Sequence, residues 1–350
     1  MSSIAAGRQR PLSPNLCREY RMIISKAPVR ISLGGGGTDL ASYYSKFGGF
    51  LIAGGIDKYI FICINQRFER SIKLSYSKTE VVENVDQVQH KIFREALRLA
   101  GVENQVELSS IADVPANCGL GSSSSFTVAL LTALRSYTRD FASLRELAEE
   151  ACRIEIDILG APIGKQDQYM AAFGGVTALT FDTDGTVHVE PLRMSGGKLV
   201  ELEYNIGLFY TGIERSASDI LSSQNQKTLE DDQGVIERLH GIKQIGLETR
   251  RLFEKGDLDS FGELLHQHWK TKKKLSTAIS NPFIDEAYEE ALRAGALGGK
   301  IMGAGGGGFF MFYCPGTKAK VIQRLSAMGL RYFPFRFDFE GAKIVANLRK

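Results

Sequence analysis

The sequence contains no GxxxxGK[ST] string, which excludes the loop by which P-loop proteins hold nucleotide phosphates. Its five cysteines, Cys17, Cys63, Cys118, Cys152 and Cys314, are odd in number and show neither CxxC nor CxxxC spacing. The usual zinc and dithiol patterns are thereby removed, and the cysteines read as reduced thiols of a cytoplasmic protein. Long apolar runs are missing too: stretches such as Val128 to Leu134 and Phe309 to Cys314 fall far short of the ~20 residues that span a bilayer. Nor does charge of one sign dominate, since 43 basic residues face 40 acidic ones for a net charge of +3, dispersed without long blocks. That balance argues against nucleic acid or a membrane as partner. No repeat at solenoid periods occurs. The first twenty residues carry Arg8 and Arg10 without an apolar core, and residues 1–21 are expected to be a disordered extension.

What is present is alternation of strand and helix over 350 residues, enough for two ordinary domains. Met22 to Leu33 and Phe50 to Phe68 are rich in β-branched and aromatic residues and bracket a glycine-rich turn. Helices are predicted over Val88 to Ala100, from Ser122 through Tyr137, and from the capping box Ser143-Leu-Arg-Glu146. The last of these has an apolar stripe of Leu144, Leu147, Ala148, Ala151, Ile154 and Ile158 and should stop at Gly160 and Pro162. Val176 to Phe181 and Val187 to Leu192 flank Asp-Thr-Asp-Gly185, a hairpin signal. Ser195-Gly196-Gly197 reads as a linker, placing the domains at 22–195 and 196–350. The second half should hold a strand near Leu199 to Tyr210, helices over Asp231 to Lys255 and Leu258 to Ile279, and a helix opened by Asn281-Pro282. Strand Phe309 to Tyr313, helix Lys318 to Met328 and a strand near Tyr332 to Phe339 then complete an α+β unit.

Three glycine-rich segments carry the chemistry. Val114-Pro-Ala-Asn-Cys-Gly-Leu-Gly-Ser-Ser-Ser-Ser125 sets two glycines and four serines ahead of a helical start. A helix N-terminus offers free N–H groups and a positive dipole end, and glycine permits close approach, so the stretch suits a polyphosphate. A flexible Gly/Ser linker fits less well between a proline and a strong helix. Pro28-Val-Arg-Ile-Ser-Leu-Gly-Gly-Gly-Gly-Thr-Asp39 runs a strand into four consecutive glycines, where a plain turn needs one or two. Gly303-Ala-Gly-Gly-Gly-Gly308 satisfies GxGxxG but leads into an apolar run, which argues against a dinucleotide fold. Glu155 shares an apolar helix face with Ala148, Ala151, Cys152 and Ile158; a buried carboxylate is paired, protonated or bound to a cation. An internal salt bridge and a cation ligand stay equally open.

Together these segments resemble the GHMP kinases, the family of galactokinase, homoserine kinase, mevalonate kinase and phosphomevalonate kinase. The likeness runs from Met22 to the C-terminus. The family's first motif is met by Pro28 to Asp39, its second, PxxxGLGSSAS, by Pro115 to Ser125 with Ser124 in place of alanine, and its third by Lys300 to Phe312. The resemblance implies an α+β fold of two domains: an ATP-binding N-terminal domain like the second domain of ribosomal protein S5, and a ferredoxin-like C-terminal domain, with the active site between them. It implies that Pro115, Gly119, Leu120, Gly121, Ser122, Ser123 and Ser124 wrap the ATP phosphates, and that the Ser123 hydroxyl and Glu155 hold Mg²⁺. Asp167, in Gly164-Lys-Gln-Asp-Gln-Tyr169, matches the catalytic aspartate and Arg30 its basic partner. Aspartate is a weak base, yet it can accept the hydroxyl proton late in a loose transition state, where positioning and charge neutralisation supply most of the acceleration.

Gly36, Gly37, Thr38 and Asp39, with Gly305 and Gly306, are expected to bind the acceptor. Galactokinase has an acidic residue and a histidine where this chain has glycines before Thr38-Asp39, which makes galactose a poor candidate. The strings GGGGTDL, GKQDQY and GGKIMGAGGGGFF look most like the heptose 7-phosphate 1-kinases, with the fucokinases next. A sugar phosphate acceptor needs a cationic pocket, for which Arg215 and Lys272 are candidates, against the alternative of solvated surface charge. His266 and His268 read as surface or core histidines rather than metal ligands. A non-catalytic sugar-binding homologue would be expected to lose Asp167 or the serine loop, and a decarboxylase of the same fold to lack GKQDQY. The partners expected are ATP and a small sugar phosphate, with self-association into a homo-oligomer left open.

Overall fold

The computed structural model describes residues 21–213, 217–230 and 232–349. Its strands are β1 (Arg21–Gly34), β2 (Gly49–Gln66), β3 (Ile72–Ser75), β4 (Thr79–Val82), β5 (Val106–Ala112), β6 (Val176–Phe181), β7 (Val187–Pro191), β8 (Ile206–Tyr210), β9 (Gly298–Ile301), β10 (Phe309–Tyr313), β11 (Arg331–Phe333) and β12 (Lys343–Arg349). The helices are α1 (Ala41–Phe47), α2 (Lys91–Leu99), α3 (Ser122–Thr138), α4 (Leu144–Cys152), α5 (Gln166–Phe173), α6 (Gly196–Asn205), α7 (Ala217–Leu229), α8 (Gln233–Lys255), α9 (Leu258–Lys273), α10 (Pro282–Arg293) and α11 (Lys318–Ala327). No helix among the described residues is long and apolar enough to cross a membrane.

The first sheet runs β12-β1-β2-β5-β3-β4, with β6 hydrogen-bonded to β2 and β7 to β6. On the edge away from β1, β2 serves two partners, pairing Gly49 to Gly54 with β6 and Ile60 to Gln66 with β5. The second sheet, β11-β8-β10-β9, is antiparallel throughout. Its strand order, with helices between its first and second strands and between its third and fourth, is the split β-α-β plan of a ferredoxin-like unit. Every residue of β10 is buried because both faces are covered. Phe309, Met311 and Tyr313 pack toward β1 and β2, while Phe310 and Phe312 pack with Ile284, Tyr288, Val321 and Leu325 of α10 and α11.

One irregularity in β1 positions the site. Early in the strand, Ile23 and Ala27 belong to the core under α3, and the Ser25 hydroxyl donates to Ala129 O. The register with β2 shifts between Pro28 and Val29, where β2 carries the unmatched residues Asp57 and Lys58, and the side chains of β1 change faces across the shift. Val29, Ile31 and Leu33 therefore enter the core between the two sheets. Arg30 and Ser32, the intervening residues, are delivered to the cleft.

The structure departs from the sequence reading at three places. Ser195 to Gly197 is not a linker: the Ser195 side chain accepts from Lys198 N and caps α6, so strand begins only at Ile206. Val200 and Tyr204, inside the range expected to be strand, occupy the exposed outer surface of that helix. Beyond Cys152 the predicted helix continues as a π-helical segment, Arg153–Ile158, whose wider turn keeps Glu155 inside but leaves Ile158 exposed. Finally, the chain's last strand, β12, pairs antiparallel with β1, so it completes the first sheet rather than the second unit. Arg215 lies outside the described residues.

Candidate active site

A cleft of about 560 Å³ lies where the two sheets meet, lined from β1, the α3 N-terminus, the segment before α5, α9 and the end of β9. At its base, Arg30 donates from Nη2 and Nε to Asp167 Oδ1 at 2.6 and 2.7 Å and from Nη1 to Gly119 O at 2.6 Å. Its backbone N–H donates to Leu120 O at 3.0 Å. One side chain thus ties the catalytic-aspartate candidate to the glycine–serine loop. Among the described residues no hydrogen bond engages Asp167 Oδ2, which faces Gly121: a Cβ built there would lie 3.0 Å from it. Only glycine lets this carboxylate sit against the loop, and Gly121 also takes φ +78° to start α3 without a side-chain cap. The first N–H groups of α3 are left for an anion.

Around that centre stands a second carboxylate. Glu155 is buried, accepting from Ser123 Oγ at 2.8 Å and from Gln168 Nε2 at 2.9 Å. Burial pushes its carboxyl above the usual range, against the hydrogen bonds of Ser124, Ser123 and Gln168 and with help from nearby Asp167. No lysine or arginine pairs with it among the described residues, so the internal salt bridge that the sequence left open is not what the structure holds. A carboxylate and hydroxyls are hard oxygen donors that fit Mg²⁺, which takes one or two carboxylates and completes its shell with water and phosphate.

The four-glycine loop supports the opposite wall. Asp39 accepts from Gly37 N and Gln166 N, each at 3.1 Å, and its carboxyl is raised, first by burial and then by Asp167. Gly36, Gly37 and Asp39 line the cleft. Thr38 does not: it is fully buried, its hydroxyl donating to Gly35 O and Phe50 O, so it holds the loop instead of an acceptor. Leu120 is likewise core and Pro115 is exposed away from the cleft, whereas Gly119, Ser122, Ser123 and Ser124 line it. Gly305 and Gly306 pack against Ile279, while Gly303 and Ala304 of the same motif reach the cleft.

Lys272 faces the cleft as expected, its Nζ donating to Ile301 O and Gly303 O. Burial, aided by Arg30, pushes its pKa down to about 7. The sequence reading missed Lys300, His268, Ser32, Gln166 and Gln224, all of them in the lining. A signal existed for two: His268 stands one helical turn before Lys272, and Lys300 opens the third glycine motif. Ser32 Oγ and Gln166 Nε2 are buried without a partner among the described residues, hydrogen-bonding capacity left for a ligand.

An open helix N-terminus beside an arginine-clamped aspartate, with a buried carboxylate ready for a cation, is the equipment of a phosphoryl-transfer enzyme. Comparison with known proteins says which kind. Residues 84–175 match the model of the GHMP kinases N terminal domain and residues 249–330 that of the GHMP kinases C terminal. The D-glycero-alpha-D-manno-heptose 7-phosphate kinase of Campylobacter jejuni is 30% identical over 92% of this chain and 98% of its own. The L-fucokinase/L-fucose-1-P guanylyltransferase of Bacteroides fragilis is 27% identical over 87% of this chain and 36% of its own. A crystal structure described as a D-glycero-D-manno-heptose 1-phosphate kinase from Bacteroides thetaiotaomicron superposes with a TM-score of 0.77 at 29% identity, covering 93% of this chain and 99% of that one. The chain belongs to the GHMP kinases, and it is an ATP-dependent sugar kinase.

Proposed function

We propose that the enzyme transfers the γ-phosphoryl group of ATP to the anomeric hydroxyl of D-glycero-D-manno-heptose 7-phosphate, giving the 1,7-bisphosphate. The observation that carries the chemistry is the Arg30–Asp167 pair held against Gly121. With both guanidinium contacts on Oδ1, Oδ2 is left to accept the proton of the attacking hydroxyl. The sugar oxygen bonds to the γ-phosphorus as the bond to the bridging oxygen of ADP breaks, and Arg30 offsets charge that spreads over the transferring oxygens. The α3 N-terminus holds the ATP phosphates. Glu155 and Ser123 would hold Mg²⁺, which when bound neutralises phosphate charge. Ser32 and Gln166, beside Gly36, supply hydrogen bonds to sugar hydroxyls.

The choice of acceptor rests on the GGGGTDL, GKQDQY and GGKIMGAGGGGFF strings and on the relative from Campylobacter jejuni, which aligns along nearly its whole length. A coupled ADP-release assay across heptose 7-phosphate, mannose, L-fucose, galactose and mevalonate tests it. Heptose 7-phosphate should give the highest kcat/KM; a higher value for L-fucose transfers the enzyme to the fucokinase group.

A further inference from the structure

The wall of the cleft built by α9 and β9 gathers three basic groups. His268 and Lys272 lie one turn apart on α9, and Lys300 projects from β9; all three line the cleft. His268 and Lys300 leave only 1% and 2% of their surfaces exposed, with Lys300 Nζ 3.3 Å from His268 Nδ1. Lys272 is half-buried, and its Nζ reaches Ile301 O at 2.9 Å and Gly303 O at 2.6 Å. Among the described residues no carboxylate pairs with either lysine. Lys272 and Arg30 both act against the charge of Lys300, and the two lysines act against that of His268.

A buried ammonium is ordinarily matched by a carboxylate or gives up its proton. Burial and repulsion by neighbouring cations, Arg30 among them, move all three groups in that direction, a state that an incoming anion reverses. The wall also adjoins the phosphate loop, since a Cβ at Gly303 would lie 2.8 Å from Gly119 Cα. We propose that Lys272, Lys300 and His268 form a second anion subsite, separate from the α3 N-terminus, that takes a dianionic terminal phosphate group. Two ammonium groups and an imidazole match the charge and the several acceptor oxygens of such a group better than a lone carboxylate. The anion is either the acceptor sugar's own phosphate or the terminal phosphate of the nucleotide. Only the first source rests on the heptose 7-phosphate reading.

Titration of inorganic phosphate into the enzyme, with ADP saturating so that the α3 N-terminus is filled, tests the subsite without any sugar. The wild type should bind phosphate, and Lys300→Met should bind it about tenfold or more weakly. The same variant should melt, ligand-free, no lower than the wild type, because it deletes a buried charge that faces two others; a lysine with a merely structural role would give a lower melting point. If Lys300→Met does not fold, Lys272→Met is measured in the same way. Phosphate affinity unchanged in a folded variant, or absent from the wild type, overturns the proposal. A kcat/KM loss confined to the phosphorylated sugar, against an unphosphorylated heptose, assigns the subsite to the acceptor. Equal losses on both, with a raised KM for ATP, assign it to the nucleotide and separate this result from any failure of the heptose reading.

Discussion

Replacing Asp167 with asparagine separates the chemical role of the carboxylate from its structural one. Arg30 makes two contacts to Oδ1, and the two side chains are 7% and 24% exposed. Breaking a fully buried ion pair costs ~3 to 5 kcal/mol, and a hydrogen bond to a charged group is worth ~1.5 to 3 kcal/mol. Three features reduce that here: Asp167 is partly solvated, an asparagine oxygen can still accept from Arg30, and the charge that raises Asp39 disappears. The expected loss of stability is therefore about 1 to 2 kcal/mol. Removal of a general base lowers turnover by ~10² to 10⁴, about 3 to 5 kcal/mol of barrier at 1.36 kcal/mol per decade. The chemical effect is the larger, so Asp167→Asn should be folded and slow. ATP affinity by isothermal titration should stay near wild type, because the α3 amides are untouched. Near wild-type ADP release, or loss of ATP binding in step with turnover, would refute the assignment of Asp167 to the acceptor.

Ser123→Ala and Glu155→Gln should each raise the Mg²⁺ concentration giving half-maximal rate. Glu155→Gln should also melt higher without ligand at neutral pH, since a carboxyl whose pKa is raised by burial loses its stabilising contribution as pH rises through the folded value; a lower melting point with an unchanged magnesium titration contradicts both. Lys272 is pushed down from 10.5 to about 7, so its own contribution to ligand-free stability should be full only above pH ~10.5 and decline as pH falls toward 7. In Lys272→Met, with Arg30, Lys300 and His268 still facing the site, that slope should flatten in pH-dependent melts. Gly164→Ala would place a Cβ 2.0 Å from Asp39 Oδ2, and the displaced carboxylate should raise KM for the sugar more than KM for ATP; an effect on ATP alone would count against Asp39 as part of the acceptor wall.

Much of this arrangement was legible because glycine and serine leave strong local traces. The α3 start, the Ser143 capping box and the Asn281-Pro282 start all fall where short-range chemistry puts them. The register shift after Pro28 was not legible, although it decides that Arg30 faces the cleft, because register depends on β2 and not on β1 alone. α6 was lost because Ser195-Gly-Gly is both a linker signature and an acceptable helix entry, and the capping bond to Lys198 N decides between them. β12 escaped because its partner lies at the far end of the chain. Within the site, Thr38 was misplaced because a hydroxyl beside a functional carboxylate looks the same whether it faces a ligand or the backbone. Lys300 and His268 were missed because only the packing of β9 beside α9 brings them together.

Phosphorus NMR of the product formed from ATP and D-glycero-D-manno-heptose 7-phosphate reads the position of transfer. The sugar's original phosphate signal should be retained while a second monoester signal, coupled to the anomeric proton, grows in step with ADP. A new signal coupled to any other proton of the sugar, or ADP formation without a second sugar phosphate, would contradict transfer to the anomeric hydroxyl.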